Sequence, residues 1–258
     1  MYEGLDVPPH ESDTPYFFDL VSRSVFGSCD GFEEWSEVRG PFSFLLFKQD
    51  EGKVIFGRDP LGRRSLVHGK YGDEGDFFIS SCLVEGLEGE RVGVDGIFEM
   101  ELGTLQLSLL HSWSSTTLSS SSPILVQDNQ VMREFERLLR ASVGRRIIHP
   151  LPLSILFSGG VDCSALALYC HLEMEEGVPI HLLNVCFDGG KSPDRYSALC
   201  SHFHLSSLFP SRPFLLTLMD VDQDEVEERK GEIIDLIAPC SSNMDFNIGT
   251  ALWFASRG

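Results

Sequence analysis

The sequence has few basic residues for its length. Its 20 Lys and Arg residues stand against 39 Asp and Glu residues, which gives a formal net charge of −19. Proteins that bind the nucleic-acid backbone or an anionic membrane need clustered Lys and Arg, so this balance argues against both partners. It does not argue against a nucleotide, because backbone N–H groups can hold phosphate with little help from cations.

The sequence also lacks paired cysteines and long apolar runs. Its seven cysteines form no Cys-x-x-Cys pair, and their number is odd. A free thiol in an apolar run behaves as a small hydrophobic group. There is no N-terminal signal sequence and no apolar stretch near the ~18 residues that a membrane span requires. We therefore expect a reducing, cytoplasmic setting and no membrane partner.

What the sequence does contain is a change of pattern that predicts two domains. The first part is β-rich: the runs PFSFLLF and KVIFGRD are separated by KQDEG, a polar turn that ends in Gly52 and is typical of a hairpin. The later tract SSTTLSSSSP has the composition of an exposed linker. We place the two domains at residues 1–111 and 127–258, with a linker at residues 112–126.

The second domain begins with a predicted amphipathic helix, for which Asp128 or Asn129 can supply the N-cap. Its apolar face consists of Val131, Phe135, Leu138, Leu139 and Val143. LPLSILF then predicts a buried strand, DCSALALYCHLEMEE a helix and PIHLLNVCF a second strand. This βαβ unit, with its continuous apolar strands, indicates a parallel sheet covered on both faces.

A serine–glycine–glycine turn joins the first of these strands to its helix. Ligands usually bind at the carboxyl end of such a strand, where the free N–H groups of the next helix face the loop. Gly159 and Gly160 let the backbone approach an anion, and Ser158 adds a hydroxyl donor. Asp162 would repel phosphate unless a divalent cation lay between them, which makes it a natural Mg²⁺ ligand. The alternative is an ordinary strand-to-helix connection without a ligand.

A second glycine-containing stretch, GRDPLGRR at residues 57–64, is partly similar to a Walker A loop. It lacks the Lys-Ser/Thr ending, and no helical pattern follows it. Pro60, Leu61 and Gly62 instead predict a turn between strands. We therefore do not expect an ATP site in this stretch.

Three motifs together resemble one family. SILFSGGVDCSALAL resembles SGGxDS, the pyrophosphate loop of the ATP-pyrophosphatase superfamily. GPFSFLLF with GRDPLGRRSL resembles the glutaminase domain of glutamine-hydrolysing asparagine synthetases, and MDFNIGTALWFASRG resembles a helix of their synthetase domain. The resemblance implies an incomplete α+β N-terminal-nucleophile glutaminase-like domain. An α/β ATP-pyrophosphatase domain follows it, with the parallel sheet of adenine nucleotide α-hydrolase-like folds.

This resemblance also implies a chemistry. In such enzymes one domain hydrolyses glutamine to ammonia, and the other uses ATP and Mg²⁺ to adenylate the aspartate β-carboxylate before ammonia displaces AMP. The implied substrates are glutamine, aspartate and ATP, and a homo-oligomer is compatible with the resemblance. The alternative is a catalytically inactive relative that serves as a nucleotide-binding or interaction module.

The resemblance assigns the ATP and pyrophosphate contacts to Phe157, Ser158, Gly159, Gly160, Asp162, Cys163, Ser164 and Phe187. Asp162 matches the Mg²⁺-associated acid of the motif. Cys163 stands where the motif has a serine, and a thiol is a weaker hydrogen-bond donor than a hydroxyl. Phe157 and Phe187 match positions that border the adenosine, although both can equally be core residues.

The glutaminase motifs match less completely. Such enzymes use an N-terminal cysteine whose α-amine acts as the base, whereas the first cysteine here, Cys29, has no free amine beside it. We expect no intact glutaminase catalytic residue and no glutamine hydrolysis by this chain. The segment ESDTP resembles the one that binds the glutamine α-amino group, which makes Asp13 a pocket candidate. Because an early glutaminase segment and a later ATP segment, SGxGxDE, are unmatched, the chain resembles a form truncated at both ends.

Overall fold

A computed structural model describes residues 12–26, 35, 38, 40–72, 75–83, 87–113, 129–147 and 152–257. The chain divides into two compact units, Met1–Ser119 and Ser120–Gly258. The division falls within the serine-rich tract, and residues 114–128 of the chain lie outside the described ranges. Across those ranges, we find no helix with the length and apolar character needed to cross a membrane.

The first unit contains one long helix and seven strands in its described part. Their bounds are α1 Thr14–Phe26, β1 Ser43–Lys48, β2 Lys53–Arg58, β3 Val67–Tyr71, β4 Asp76–Ser80, β5 Glu88–Arg91, β6 Gly96–Glu101 and β7 Gln106–Ser112. The strands form a four-stranded antiparallel sheet in the order β1-β2-β6-β7 and a three-stranded antiparallel sheet in the order β4-β3-β5. Strand β7 includes Ser112, so this residue is not part of the predicted linker.

The predicted hairpin between β1 and β2 is confirmed. The two strands pair antiparallel from Ser43 opposite Arg58 to Lys48 opposite Lys53. A single 3₁₀ turn, Gln49–Glu51, connects them and ends at Gly52, whose φ of +62° lies in the left-handed region. Glycine has no Cβ and adopts this conformation without a steric cost, which explains why it ends the polar turn.

Two clusters of buried side chains cover the opposite faces of the four-stranded sheet. Successive residues of a strand point to opposite faces, so adjacent residues of β2 belong to different clusters. One cluster contains Leu20, Val21, Trp35, Phe42, Ile55 and Ile97. The other contains Val54, Phe56, Leu66, Val92 and Met100, with Phe77 and Ile79 of the smaller sheet packed against it. The unit therefore has a helix, a larger sheet and a smaller sheet in successive layers.

The second unit contains three strands and five helices in its described part. Their bounds are α2 Asn129–Gly144, β8 Leu153–Leu156, α3 Val161–Glu173, β9 Ile180–Cys186, α4 Pro193–Leu208, β10 Phe214–Asp220, α5 Gln223–Ile237 and α6 Asn243–Ala255. The strands pair parallel in the order β10-β9-β8. The predicted βαβ unit and its parallel sheet are confirmed.

The core of the second unit lies between the sheet and the helices α3 and α4. It consists of Val143, Ile155, Phe157, Cys163, Ala167, Cys170, Met174, Ile180, Leu182, Ala198, Leu205 and Phe214. No disulfide joins any of the six cysteines within the described residues. Burial raises the pKa of the Cys170 thiol to about 11, so this side chain stays a neutral, apolar core group at neutral pH.

The predicted apolar face of α2 is only partly buried. Val143 packs into the core, but Phe135 and Leu138 are 60% and 50% exposed. Helix α2 contacts α3 near its own carboxyl end, where Arg140 forms an ion pair with Glu173. The earlier turns of the helix extend past this contact. The predicted helix is confirmed, and of its apolar face Val143 is buried while Phe135 and Leu138 are exposed.

Candidate functional site

The serine–glycine–glycine turn lies between β8 and α3, as predicted. Gly160 has extended backbone geometry and forms the N-cap of α3, without a side-chain cap hydrogen bond. The Ser164 N–H donates to the Gly160 carbonyl at 3.1 Å, which is the first hydrogen bond of the helix. The N–H groups of residues 161–163 precede this bond and have no acceptor within the helix. The turn therefore presents several main-chain donors at the positive end of the helix dipole.

The two glycines of the turn have different roles. Gly159 has a φ of +78°, and a Cβ there would lie 2.2 Å from the backbone carbon of Ser197 in α4. Gly160 has an ordinary φ of −69°, and a Cβ there would meet only the Ser158 hydroxyl oxygen at 3.5 Å. Gly159 is therefore required for folding of the loop against α4, whereas Gly160 leaves free space in front of it.

The side chains of the loop form a small hydrogen-bonded group. The Ser158 hydroxyl oxygen accepts from the Gly160 N–H at 3.4 Å, and the Cys163 thiol donates to the Gly160 carbonyl at 3.4 Å. Cys163 is mostly buried, so its thiol closes the first turn of the helix. The buried Ser164 hydroxyl oxygen has no hydrogen-bond partner. This orphaned hydroxyl is available as a donor, which suits the position that the motif assigns to pyrophosphate binding.

Asp162 is exposed in the first turn of α3, where a carboxylate interacts favourably with the helix dipole. In the described ranges, no cluster of three or more His, Cys, Asp or Glu side chains could hold a metal ion. Asp162 could therefore contribute one carboxylate to a Mg²⁺ ion whose remaining ligands come from phosphate oxygens and water. This division of ligands is usual for Mg²⁺ in nucleotide sites.

The structure separates the two phenylalanines that the motif places beside adenosine. The Phe157 side chain is 1% exposed and belongs to the core. Only its main chain reaches the loop. Phe187 follows β9 and is half-buried, with its ring 6.2 Å from that of Phe254. The burial of Phe157 agrees with the alternative of a core side chain, and the contacts of Phe157 and Phe187 with adenosine stay predictions.

A buried polar network lies directly beneath the loop, and the sequence analysis missed it. Asn184 of β9 donates from its amide nitrogen to the Phe157 carbonyl at 2.9 Å, and its amide oxygen accepts from Arg195 Nε at 2.7 Å. Arg195 Nη2 also donates to the Met219 carbonyl at 2.9 Å and lies 2.7 Å from an Asp220 carboxylate oxygen. The network therefore joins the carboxyl ends of all three parallel strands. A single asparagine within the apolar run LLNVCF was the available signal.

A further carboxylate lies just beyond β9. The Cys186 thiol donates to Asp188 at 2.8 Å, and the Lys191 N–H donates to the same oxygen at 3.0 Å. These hydrogen bonds, that of the thiol first, hold the pKa of Asp188 below its ordinary value. A negative charge is thus maintained at the same edge of the sheet as the loop.

A cleft of about 490 Å³ lies beside the end of β10, between α5 and α6. Its lining includes Asp220, Glu228 and Trp253. The guanidinium of Arg257 lies 4.5 Å from the centre of the Trp253 ring, within the range of a cation–π contact. The cleft combines an aromatic surface with charges of both signs and adjoins the polar network through Asp220.

Asp13, the predicted glutamine-binding residue, lies in the first unit at the start of α1. It lines a cleft of about 300 Å³ together with Thr14 and Ser43, and the other lining groups are mainly apolar. Cys29 lies outside the described residues. The structure thus places a carboxylate at a cleft in this unit, and the role of Asp13 in binding glutamine stays a prediction.

Comparison with known proteins agrees with the motifs. The family model Asparagine synthase matches residues 134–207, which include the loop and most of α4. An asparagine synthetase domain-containing protein of Saccharomyces cerevisiae is 33% identical over 248 residues, which cover 86% of this chain and 46% of that protein. A Drosophila melanogaster protein of the same description is 36% identical over 335 residues, which cover 97% of this chain and 59% of that protein.

Asparagine synthetase domain-containing protein 1 of Mus musculus is 22% identical over 396 residues, which cover 100% of this chain and 62% of that protein. The chain thus spans between about half and three fifths of the length of these relatives. The predicted resemblance is confirmed by the family match and by relatives that align with most of the sequence. The chain thus carries a match to the Asparagine synthase family model and is similar, over most of its length, to proteins described as asparagine synthetase domain-containing proteins.

Proposed function

We propose that the second unit binds Mg-ATP at residues 158–164, as part of an asparagine synthetase-like ligase. The reaction would be the ATP-dependent amidation of aspartate with ammonia derived from glutamine. The observation that carries this proposal is the loop, in which main-chain donors at the start of α3 face free space in front of Gly160. The match to the Asparagine synthase family model supports the choice of reaction.

The main-chain N–H groups of residues 161–163 would hold the pyrophosphate part of ATP. The hydroxyl groups of Ser158 and Ser164 would add two side-chain donors, one exposed and one currently without a partner. Donors that are already fixed in place stabilise the charge that develops on a departing pyrophosphate without needing to reorganise. Mg²⁺, when bound, would neutralise part of that charge, and Asp162 would hold it from the protein side.

The adenosine part of ATP would extend from the loop toward the end of β9. Neighbouring strands of a sheet lie about 4.8 Å apart, so Phe187 is within reach of a nucleotide whose phosphates occupy the loop after β8. The half-buried ring of Phe187 would supply the apolar contact, and Phe157 would contribute only main-chain atoms.

In the first unit, Asp13 would bind the α-amino group of glutamine in the adjacent cleft. We assign no glutaminase nucleophile to this chain, because Cys29 is an internal residue without an α-amine.

Equilibrium binding of Mg-ATP to the full chain, measured by calorimetry, tests the proposal. Asp162→Asn removes a carboxylate and keeps its shape, and Gly160→Val fills the space in front of the loop. Each should weaken binding roughly ten- to hundredfold, as expected for the loss of a charge-assisted contact. Asp224→Asn is a matched control, because Asp224 also lies in the first turn of a helix but outside the loop. Equal affinities of the parent and both loop variants would place the nucleotide elsewhere.

A further inference from the structure

Helix α4 contacts the loop at two separate peptide groups. The Ser201 hydroxyl donates to the Gly159 carbonyl at 2.7 Å, and the backbone of Ser197 leaves no space for a side chain at Gly159. Arg195, in the first turn of the same helix, reaches the Phe157 carbonyl through Asn184. The Phe157 carbonyl and the Ser158 N–H belong to one planar peptide unit, so fixing the first also fixes the orientation of the second.

Asn184 is suited to this intermediate position by its chemistry. The guanidinium of Arg195 has only donors, and the Phe157 carbonyl has only acceptors, so the residue between them must accept on one side and donate on the other. A side-chain amide does both, whereas a carboxylate of the same shape would bond to the arginine but repel the carbonyl. Asn184 is 2% exposed, so no water competes for either bond.

Arg195 connects this arrangement to the remaining strand. Its side chain is buried, and its charge is balanced by Asp220 at the end of β10. A buried guanidinium with several fixed partners has little freedom to move, because the loss of any one partner leaves a buried charge or donor uncompensated. The position of the loop after β8 is therefore coupled to the ends of β9 and β10.

We propose that Arg195, acting through Asn184, is a positioning residue that sets the conformation of residues 158–162 for phosphate binding. This inference rests on the proposed function for its consequence in nucleotide binding. The positioning itself is a property of the free protein and can be measured without any ligand. Neither residue needs to touch the nucleotide.

Arg212 provides a matched control. It is 4% exposed, close to the 6% of Arg195, and it also lies in the second unit. Its guanidinium donates to the carbonyls of Glu175 and Val178, among others, at the amino end of β9 rather than at the loop. Arg212→Lys should therefore lower stability in the same way as Arg195→Lys without altering the loop.

The test uses the full chain with Asn184→Asp, Arg195→Lys and Arg212→Lys. Hydrogen exchange without nucleotide, followed by mass spectrometry on residues 156–165, reports on the Phe157 and Ser164 amides, which are hydrogen-bonded on either side of the loop. We expect exchange about tenfold faster in Asn184→Asp and Arg195→Lys than in the parent and in Arg212→Lys, matching the loss of one charge-assisted bond. Mg-ATP affinity should fall by a similar factor in those two variants alone.

Unchanged exchange in both variants, or the same increase in Arg212→Lys, would overturn the positioning role. If the parent chain does not bind Mg-ATP, the proposed function fails, and the exchange comparison still decides the role of Arg195. If Asn184→Asp does not fold, the comparison of Arg195→Lys with Arg212→Lys decides it alone.

Discussion

Two glycine-containing loops of this molecule each follow a β-strand, and their main-chain donors have opposite roles. In the loop after β2, the buried Asp59 carboxylate accepts from the main-chain N–H groups of Arg63 and Arg64. The Gly62 N–H donates to the Asp59 carbonyl at 2.7 Å, which closes the predicted turn. In the loop after β8, the first N–H groups of α3 have no such carboxylate, and the N-cap is a glycine.

The difference shows why a glycine loop alone does not indicate a phosphate site. A loop that supplies its own anion has its donors satisfied and serves the fold. A loop that leaves its donors unpaired at a helix start can accept an anion from outside. The two loops should therefore respond in opposite ways to mutation, one through stability and the other through binding.

The largest effect is expected for Asp59→Ala. This change leaves the main-chain N–H groups of Arg63 and Arg64 and the Arg63 guanidinium without their charged acceptor, which typically costs about 3 kcal/mol. Urea unfolding should show this loss, whereas Mg-ATP affinity should not change. Asp50→Ala, an exposed position in the β1–β2 turn, is the control and should be neutral. Normal stability of Asp59→Ala would show that the first loop is not closed by its own carboxylate.

Gly159→Ala should have the next largest effect and should separate the two glycines of the second loop. The left-handed backbone disfavours a Cβ by about 1–2 kcal/mol, and the clash with Ser197 adds to this. Gly160→Ala should change the free energy of unfolding by no more than about 0.5 kcal/mol, since nothing but Ser158 lies near the new methyl group. Thermal unfolding of both variants measures these losses of stability. Equal losses in Gly159→Ala and Gly160→Ala would contradict the different roles of the two glycines.

Asp162→Asn should produce a purely functional effect of about tenfold in Mg-ATP affinity, within the range given above. Its stability should change little, because the side chain is exposed and loses only a favourable interaction with the helix dipole of about 0.3–1 kcal/mol. Calorimetric titrations with and without Mg²⁺ measure this effect. A loss of affinity that is the same in both conditions would show that Asp162 acts without the metal.

The smallest effect concerns pH and arises away from both loops. Burial, and then the charge of Arg212, lower the pKa of His171 in the folded chain, and Glu176 opposes this shift. The unfolded chain therefore takes up a proton at a higher pH than the folded chain, so stability falls as the pH drops below about 6.5. His171→Gln should reduce this acid slope between pH 7 and 5.5 in urea unfolding. His204→Gln, at an exposed position of α4, should leave it unchanged.

Much of the second unit could be predicted from the sequence because its signals are local. The apolar runs that became β8 and β9, the intervening helix and the glycine turn all depend on residues close together in the chain. For Phe157 the sequence left a core role and a nucleotide contact as alternatives, because a continuous apolar run does not show which side chains face the core and which face a ligand. The exposure of part of α2 could not be predicted either, because hydrophobic periodicity identifies the apolar face of a helix but not what packs against it.

The polar network could not be predicted for a different reason. Asn184 and Arg195 are eleven positions apart, and Asp220 is still further along the chain. Their proximity depends on the order of strands in the sheet and on the start of α4, neither of which is local. An isolated polar residue in an apolar strand, such as Asn184, therefore indicates polar partners that are distant in the sequence.

Titration of the ¹⁵N-labelled full chain with Mg-pyrophosphate tests the contrast between the loops most directly. The structure places unpaired donors at residues 161–163 and satisfied donors at residues 62–64. We expect saturable shifts of the amide resonances that are largest for residues 160–164, with none for residues 62–64. Shifts centred on the first loop, or no saturable shifts at residues 160–164, would contradict it.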